Sequence, residues 1–190
     1  MPTDANLVLV VGAVIAGAVV IDYGTKAVKG AFASTPTVSD STASGITGSQ
    51  PTTGPAGAEK MLAAATAASA ANIPYSQSVQ TSGLLAGFRS DCSGFVSWVV
   101  SQAIPGFGDQ DTVTMASDPN LVAGRGTYVT LWDRAQPGDA GHVIIEILGR
   151  WFESGGGTNT SPGGGPAEIS AAAAAQEISN GMSPYHPQGL

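Results

Sequence analysis

The sequence predicts an α+β domain, with helices packed on a small antiparallel sheet, preceded by an N-terminal hydrophobic helix and a disordered linker. Three observations lead there. Two helix-forming stretches, "AEKMLAAATAASAAN" from Ala58 and "CSGFVSWVVSQAI" from Cys92, precede the strand-like "TYVTLW", "HVIIEIL" and "WFES"; helices followed by strands read as α+β rather than alternating α/β. Residues 34–57, "STPTVSDSTASGITGSQPTTGPAG", hold almost nothing to bury, which is a linker composition. Residues 5–21, "ANLVLVVGAVIAGAVVI", carry no charge between Asp4 and Asp22. The chain therefore divides into 1–33, 34–57 and a folded domain over 58–190.

In chain order, the apolar stretch comes first. A helix of ~17 residues spans ~25 Å, just under the ~30 Å of a hydrocarbon core. A membrane span over residues 5–21 is the expectation, with a buried core helix as the alternative. A cleaved signal fits less well. No Lys or Arg precedes the apolar run, and the small-residue site at Ala31-Phe32-Ala33 lies too far beyond it. Lys26 and Lys29 follow the span; the positive-inside rule would leave the rest of the chain cytoplasmic, a bias resting on two charges. As a coil, the linker reaches roughly 27 Å.

The first domain helix is carried by its alanines, with Met61, Leu62, Ala65 and Ala68 at helical spacing. Asn72 and Pro74 close it. The second presents Phe95, Val96, Val99, Val100 and Ala103 on one face and stops at Pro105-Gly106. Residues 106–127 read as irregular. Strands follow over 127–132 and 142–148, and a turn at Gly149-Arg150 folds "WFES" back as a hairpin partner. A glycine-rich loop (155–165), a late helix in "AEISAAAAAQEI" and an extended tail complete the chain.

Composition removes several function classes. A net charge of -7 with seven Lys and Arg gives no basic patch for nucleic acid. One cysteine makes no internal disulfide. Two histidines, His142 and His186, without CxxC or HExxH spacing, predict no metal site, and nothing in the chain calls for a cofactor.

The chemistry centres on the one cysteine. "DCSG", Asp91 to Gly94, lies where loop becomes helix, and Asp and Ser are good N-caps. The helix dipole and the unpaired N–H groups there favour a negatively charged sulfur. A thiol nucleophile needs a base near in space. His186 lies in a Pro-flanked tail, whereas His142 begins a strand directly after Pro137-Gly138-Asp139. A solvent-facing edge residue is the plainer reading of such a histidine. A third group would orient its ring. Glu153 and Ser154 on the hairpin partner compete, and Glu146 shares the His142 face; Glu153 is preferred, because a carboxylate both orients and stabilises an imidazolium.

"DCSGFVSWVV", followed about fifty residues on by "QPGDAGHVIIEILG" and then a polar residue on the next strand, resembles the NlpC-type cysteine peptidases of the bacterial cell wall. The resemblance covers roughly residues 58–155. It implies a compact papain-like α+β fold, Cys92 as nucleophile, His142 as base, Tyr75 near the oxyanion, and Asp91 and Ser93 as supports that contact substrate. The family's third residue is most often His, Asn or Gln, where this chain has Glu153. Its stretch between "PGD" and "HV" is longer, and "SQS" stands here where a glycine-rich segment usually follows the tyrosine.

The function implied is peptidoglycan hydrolysis at stem-peptide amide bonds, of the D-glutamyl-diamino acid type, through a thioester. The implied partners are peptidoglycan stem peptides, and the membrane through residues 5–21. The expected location is membrane-anchored facing the wall, or on a phage virion. The alternatives are a virion or envelope protein that binds wall peptides without cutting, an N-acetylmuramoyl-alanine amidase, and a thiol acyltransferase of the same fold.

Overall fold

The computed structural model describes residues 50–51, 54–137 and 140–190. The expected span at 5–21 and linker residues 34–49 lie outside them. Among the described residues no helix is long and apolar enough to cross a membrane.

Structure begins earlier than residue 58. Gln50, within the expected linker, is buried, and its side-chain amide donates to Thr130 Oγ1 at 3.0 Å. Helix α1 spans Ala56–Ala70. Its buried residues are Ala58, Met61, Ala65 and Ala68, with Leu62 only partly covered. Glu59 Oε1 accepts the Gly54 N–H at 3.1 Å, which occupies a donor just ahead of the helix.

Helix α2, Cys92–Ser101, is buried over every residue from Cys92 to Val100. The sequence suggests one apolar face; the structure surrounds the helix, which packs on α1 and the sheet. Segment 106–127 is more ordered than its composition predicts. It holds α3, Thr112–Met115, with a capping box between Asp111 and Thr114, and strand β1, Leu121–Ala123.

The strands β2 (Val129–Arg134), β3 (His142–Ile147) and β4 (Arg150–Glu153) form an antiparallel meander. The β3–β4 turn is Leu148-Gly149, one residue earlier than expected. Both residues have positive φ, 51° and 78°, the pattern of a two-residue turn that matches strand twist. The late helix is shorter than its sequence suggests. Residues Ala167–Ile169 form strand β5, and Ser170 caps helix α4, Ala171–Ser179, by accepting the Ala173 N–H at 3.1 Å. The tail is not free. Ser183–Pro187 is strand β6, inserted between β1 and β2 in a six-stranded sheet of order β1-β6-β2-β3-β4-β5.

The result is a mixed α/β domain with a small antiparallel sheet that carries helices on both faces. Val129, Leu131, Val143, Ile145, Ile147 and Phe152 meet α1 and α2. On the other face Trp132, Ile144 and Trp151 meet Ala174 and Ile178 of α4. This arrangement sets the N-terminus of α2 beside the first residue of β3.

Candidate active site

Cys92 is the first residue of α2 and is 9% exposed. Asp91 caps the helix, its Oδ1 accepting the Gly94 N–H at 2.7 Å. Burial pushes the Asp91 carboxyl above its ordinary value, against that N–H and the charge of Arg89. Arg89, which no motif singles out, ties the entry together. It bonds Asp91 Oδ2 at 3.0 Å, Asp109 Oδ2 at 2.9 Å and the Gln110 carbonyl at 2.6 Å. Ser93 is buried beside them, 3.4 Å from Arg89 Nη2.

The last letter of "DCSG" has a steric reason. A Cβ on Gly94 would stand 2.5 Å from the Arg89 carbonyl oxygen and 2.6 Å from its Cβ. Gly94→Ala is expected to cost about 1–3 kcal/mol through this overlap, read as a lower urea midpoint with an unchanged m-value.

The His142 ring lies beside Cys92, which acts on its proton affinity, and its Nε2 lies 3.2 Å from Glu153 Oε2. Register explains why Glu153 rather than Ser154 fills this place. Glu146 pairs with Trp151 and Ile145 with Phe152, so Glu153 shares strand parity with Trp151, Glu146 and His142. Ser154 instead donates its hydroxyl to the Ser90 carbonyl at 2.5 Å. Glu146 is held by Arg125 at 2.8 Å. His186 lies on β6, its Nδ1 3.0 Å from the Gly124 carbonyl. Glu153 is wholly buried, and its second oxygen accepts the Thr158 hydroxyl at 2.8 Å. Thr158, like Arg89, belongs to no motif.

These contacts set the proton state of the ring. Burial disfavours the charged form, but the neighbouring Cys92 and Glu153 outweigh it and raise the His142 pKa to about 9. The ring therefore favours its charged form, held between the Cys92 sulfur and the Glu153 side chain. Gly156 closes over this pair: a Cβ there would lie 2.7 Å from Glu153 Oε2 and 2.9 Å from His142 Nε2, and its φ is 82°. Only glycine serves.

The site opens into a cleft of about 960 Å³ lined by Tyr75, Asp91, Cys92, Ser93, His142 and the glycine loop, among others. Tyr75 is 38% exposed and its ring packs against Gly155. Loop 155–165 is thus partly cleft wall. Among the described residues no group of three or more His, Cys, Asp or Glu is placed to hold a metal ion.

One further carboxylate lies close by. Asp133 on β2 is 2% exposed, and neither of its oxygens has a hydrogen-bond partner. Burial raises its pKa to about 7, against the attraction of His142 and together with repulsion from Asp111. The folded chain therefore keeps a proton that the unfolded chain releases near pH 4. Stability falls as pH rises from about 4 to 7, and the whole cost is present above 7. Asp133→Asn is expected to stabilise the protein by about 2 kcal/mol at pH 8 and by little at pH 4, as measured by urea unfolding at the two values.

Comparison of the chain with family models, with curated proteins and with solved structures gives no match.

Proposed function

We propose that this protein is a cysteine hydrolase that cleaves amide bonds in the stem peptides of peptidoglycan, with Cys92, His142 and Glu153 as its catalytic residues and a papain-like arrangement of helix and sheet. The observation that carries the reading is the placement of Cys92 and His142 together on the cleft wall, with the His142 ring bonded behind to the buried Glu153 side chain. A structural cysteine needs no such partners.

The chemistry follows from the proton positions. The Cys92 thiol gives its proton to His142, and the sulfur attacks the carbonyl carbon as thiolate. The developing oxyanion lies at the N-terminus of α2, where the first-turn N–H groups have no intrahelical acceptor. The Tyr75 hydroxyl, on the cleft wall, is the second donor in this reading. His142 gives its proton to the leaving amine as the C–N bond breaks and a thioester remains. The neutral ring then takes a proton from water, which attacks the thioester and releases the acid. Glu153 holds the ring in orientation and stabilises its charged form. Asp91 and Ser93 frame the nucleophile and face the substrate. No cofactor is required.

The choice of substrate rests on the "DCSG" and "PGDAGHV" resemblance. The apolar segment 5–21 and the linker would hold the domain near its polymer, either at a membrane facing the wall or on a phage virion. The test is mass spectrometry of muropeptides after incubating purified peptidoglycan with the full-length protein. Fragments cut between D-glutamate and the diamino acid are the expected products. Intact stems beginning with L-alanine would instead assign amidase cleavage, and unchanged muropeptides would overturn the hydrolase reading.

A further inference from the structure

The glycine loop leads from the catalytic residues to a carboxylate that the mechanism does not use. Helix α4 buries Ala174, Glu177 and Ile178. Ala174 and Ile178 have an obvious reason, since they pack against Trp132, Ile144 and Trp151. Glu177 does not. It is 6% exposed, it lines the cleft, and among the described residues its carboxylate has neither an ion pair nor a hydrogen bond. Arg134 lines the same cleft but is engaged elsewhere, with Nε on the Ala140 carbonyl at 2.8 Å and Nη1 on the Asn180 carbonyl at 3.4 Å. The Glu177 side chain is held in place by burial while its carboxylate oxygens stay open to the cleft, so a cationic ligand entering the cleft would supply the missing partner.

The position of Glu177 indicates which part of a substrate would meet it. Gly156 closes over His142 Nε2, and at the next residue a Cβ on Gly157 would lie 3.8 Å from Glu177 Oε1. Glycines at 155–157 leave that passage clear. The group that departs from the scissile bond must lie against His142, because it takes its proton there.

We propose that Glu177 forms a leaving-side subsite for a primary ammonium group, the side-chain amine of a diamino acid immediately after the cut. The side of the cleft it reads rests on the hydrolase reading above; the recognition of an ammonium does not.

The two are separable by binding. The full-length Cys92→Ala protein, which cannot turn over, would be titrated calorimetrically with L-Ala-γ-D-Glu-L-Lys amide and with its Nε-acetyl form. The free amine is expected to bind about tenfold more tightly, the effect of one charge-assisted hydrogen bond. Adding Glu177→Gln, or Glu177→Ala if the first does not fold, is expected to abolish that preference. Equal binding of the two peptides to the Cys92→Ala protein, no binding of either, or a preference that survives both Glu177 variants would overturn the proposal. Failure of the wild-type protein to cut the free-amine peptide, with the preference intact, would overturn the hydrolase reading alone.

Discussion

Cys92→Ala is expected to lower the release of stem fragments by at least ~10³-fold while leaving the fold in place. The side chain is small and sits at the start of α2, where the helix is fixed by the Asp91 cap and by the packing of Phe95, Val96 and Val99 rather than by the sulfur. The unfolding free energy should therefore change by no more than about 1 kcal/mol. Activity measured by turbidity loss and stability measured by urea unfolding separate the two effects. A variant that hydrolyses as well as the wild type would remove the thiol from the chemistry. A variant that is inactive because it is unfolded would show that Cys92 is a core residue.

Glu153→Gln is expected to reduce kcat/KM by about 10²-fold and to move its alkaline limb. Glu153 is one of two groups that raise the His142 pKa to about 9. Losing the carboxylate charge withdraws that support, so the ring gives up its proton at a lower pH and the falling limb shifts towards neutrality. The same linkage governs stability. His142 titrates above its unfolded value of 6.5, so its contribution is fully present below about 6.5 and is lost as pH rises through about 9. The loss should become shallower in the glutamine variant. Nitrogen chemical shifts of the His142 ring followed from pH 5 to 10 give the titration directly, and an unshifted titration in Glu153→Gln would remove Glu153 from the role of orienting group.

Much of the site is legible in the amino-acid sequence because its signals are local. "DCSG" marks a helix start by cap chemistry, and the structure has α2 beginning at Cys92 with Asp91 as its cap. The β-branched run after His142 marks a strand, and β3 begins at that residue. Glu153 over Ser154 is a matter of strand parity, which the hairpin settles once its turn is placed at Leu148-Gly149. A one-residue shift of that turn would exchange the two.

What escapes the sequence is non-local. Arg89 gathers Asp91, Asp109 and the Gln110 carbonyl across about twenty residues of chain, and nothing in its neighbours announces that. Thr158 reaches Glu153 from a glycine loop whose path is set by close approach to His142. Strand β6 is concealed by Pro184 and Pro187, which suggest a tail; it enters the sheet because β1 and β2 both offer it pairing. The helical alanines after Ile169 mask β5, and only Ser170, as a cap, divides the strand from the helix.

The central claim is that Cys92 carries the acyl group between two halves of an amide hydrolysis. Intact-protein mass spectrometry of the full-length protein, acid-quenched within seconds of mixing with L-Ala-γ-D-Glu-L-Lys amide, tests it most directly. The expected result is a transient adduct with the mass of the L-Ala-D-Glu acyl group, mapped to Cys92 and absent from Cys92→Ala. Product formation without any adduct on Cys92, or an adduct that persists in Cys92→Ala, would contradict a thiol nucleophile at this site.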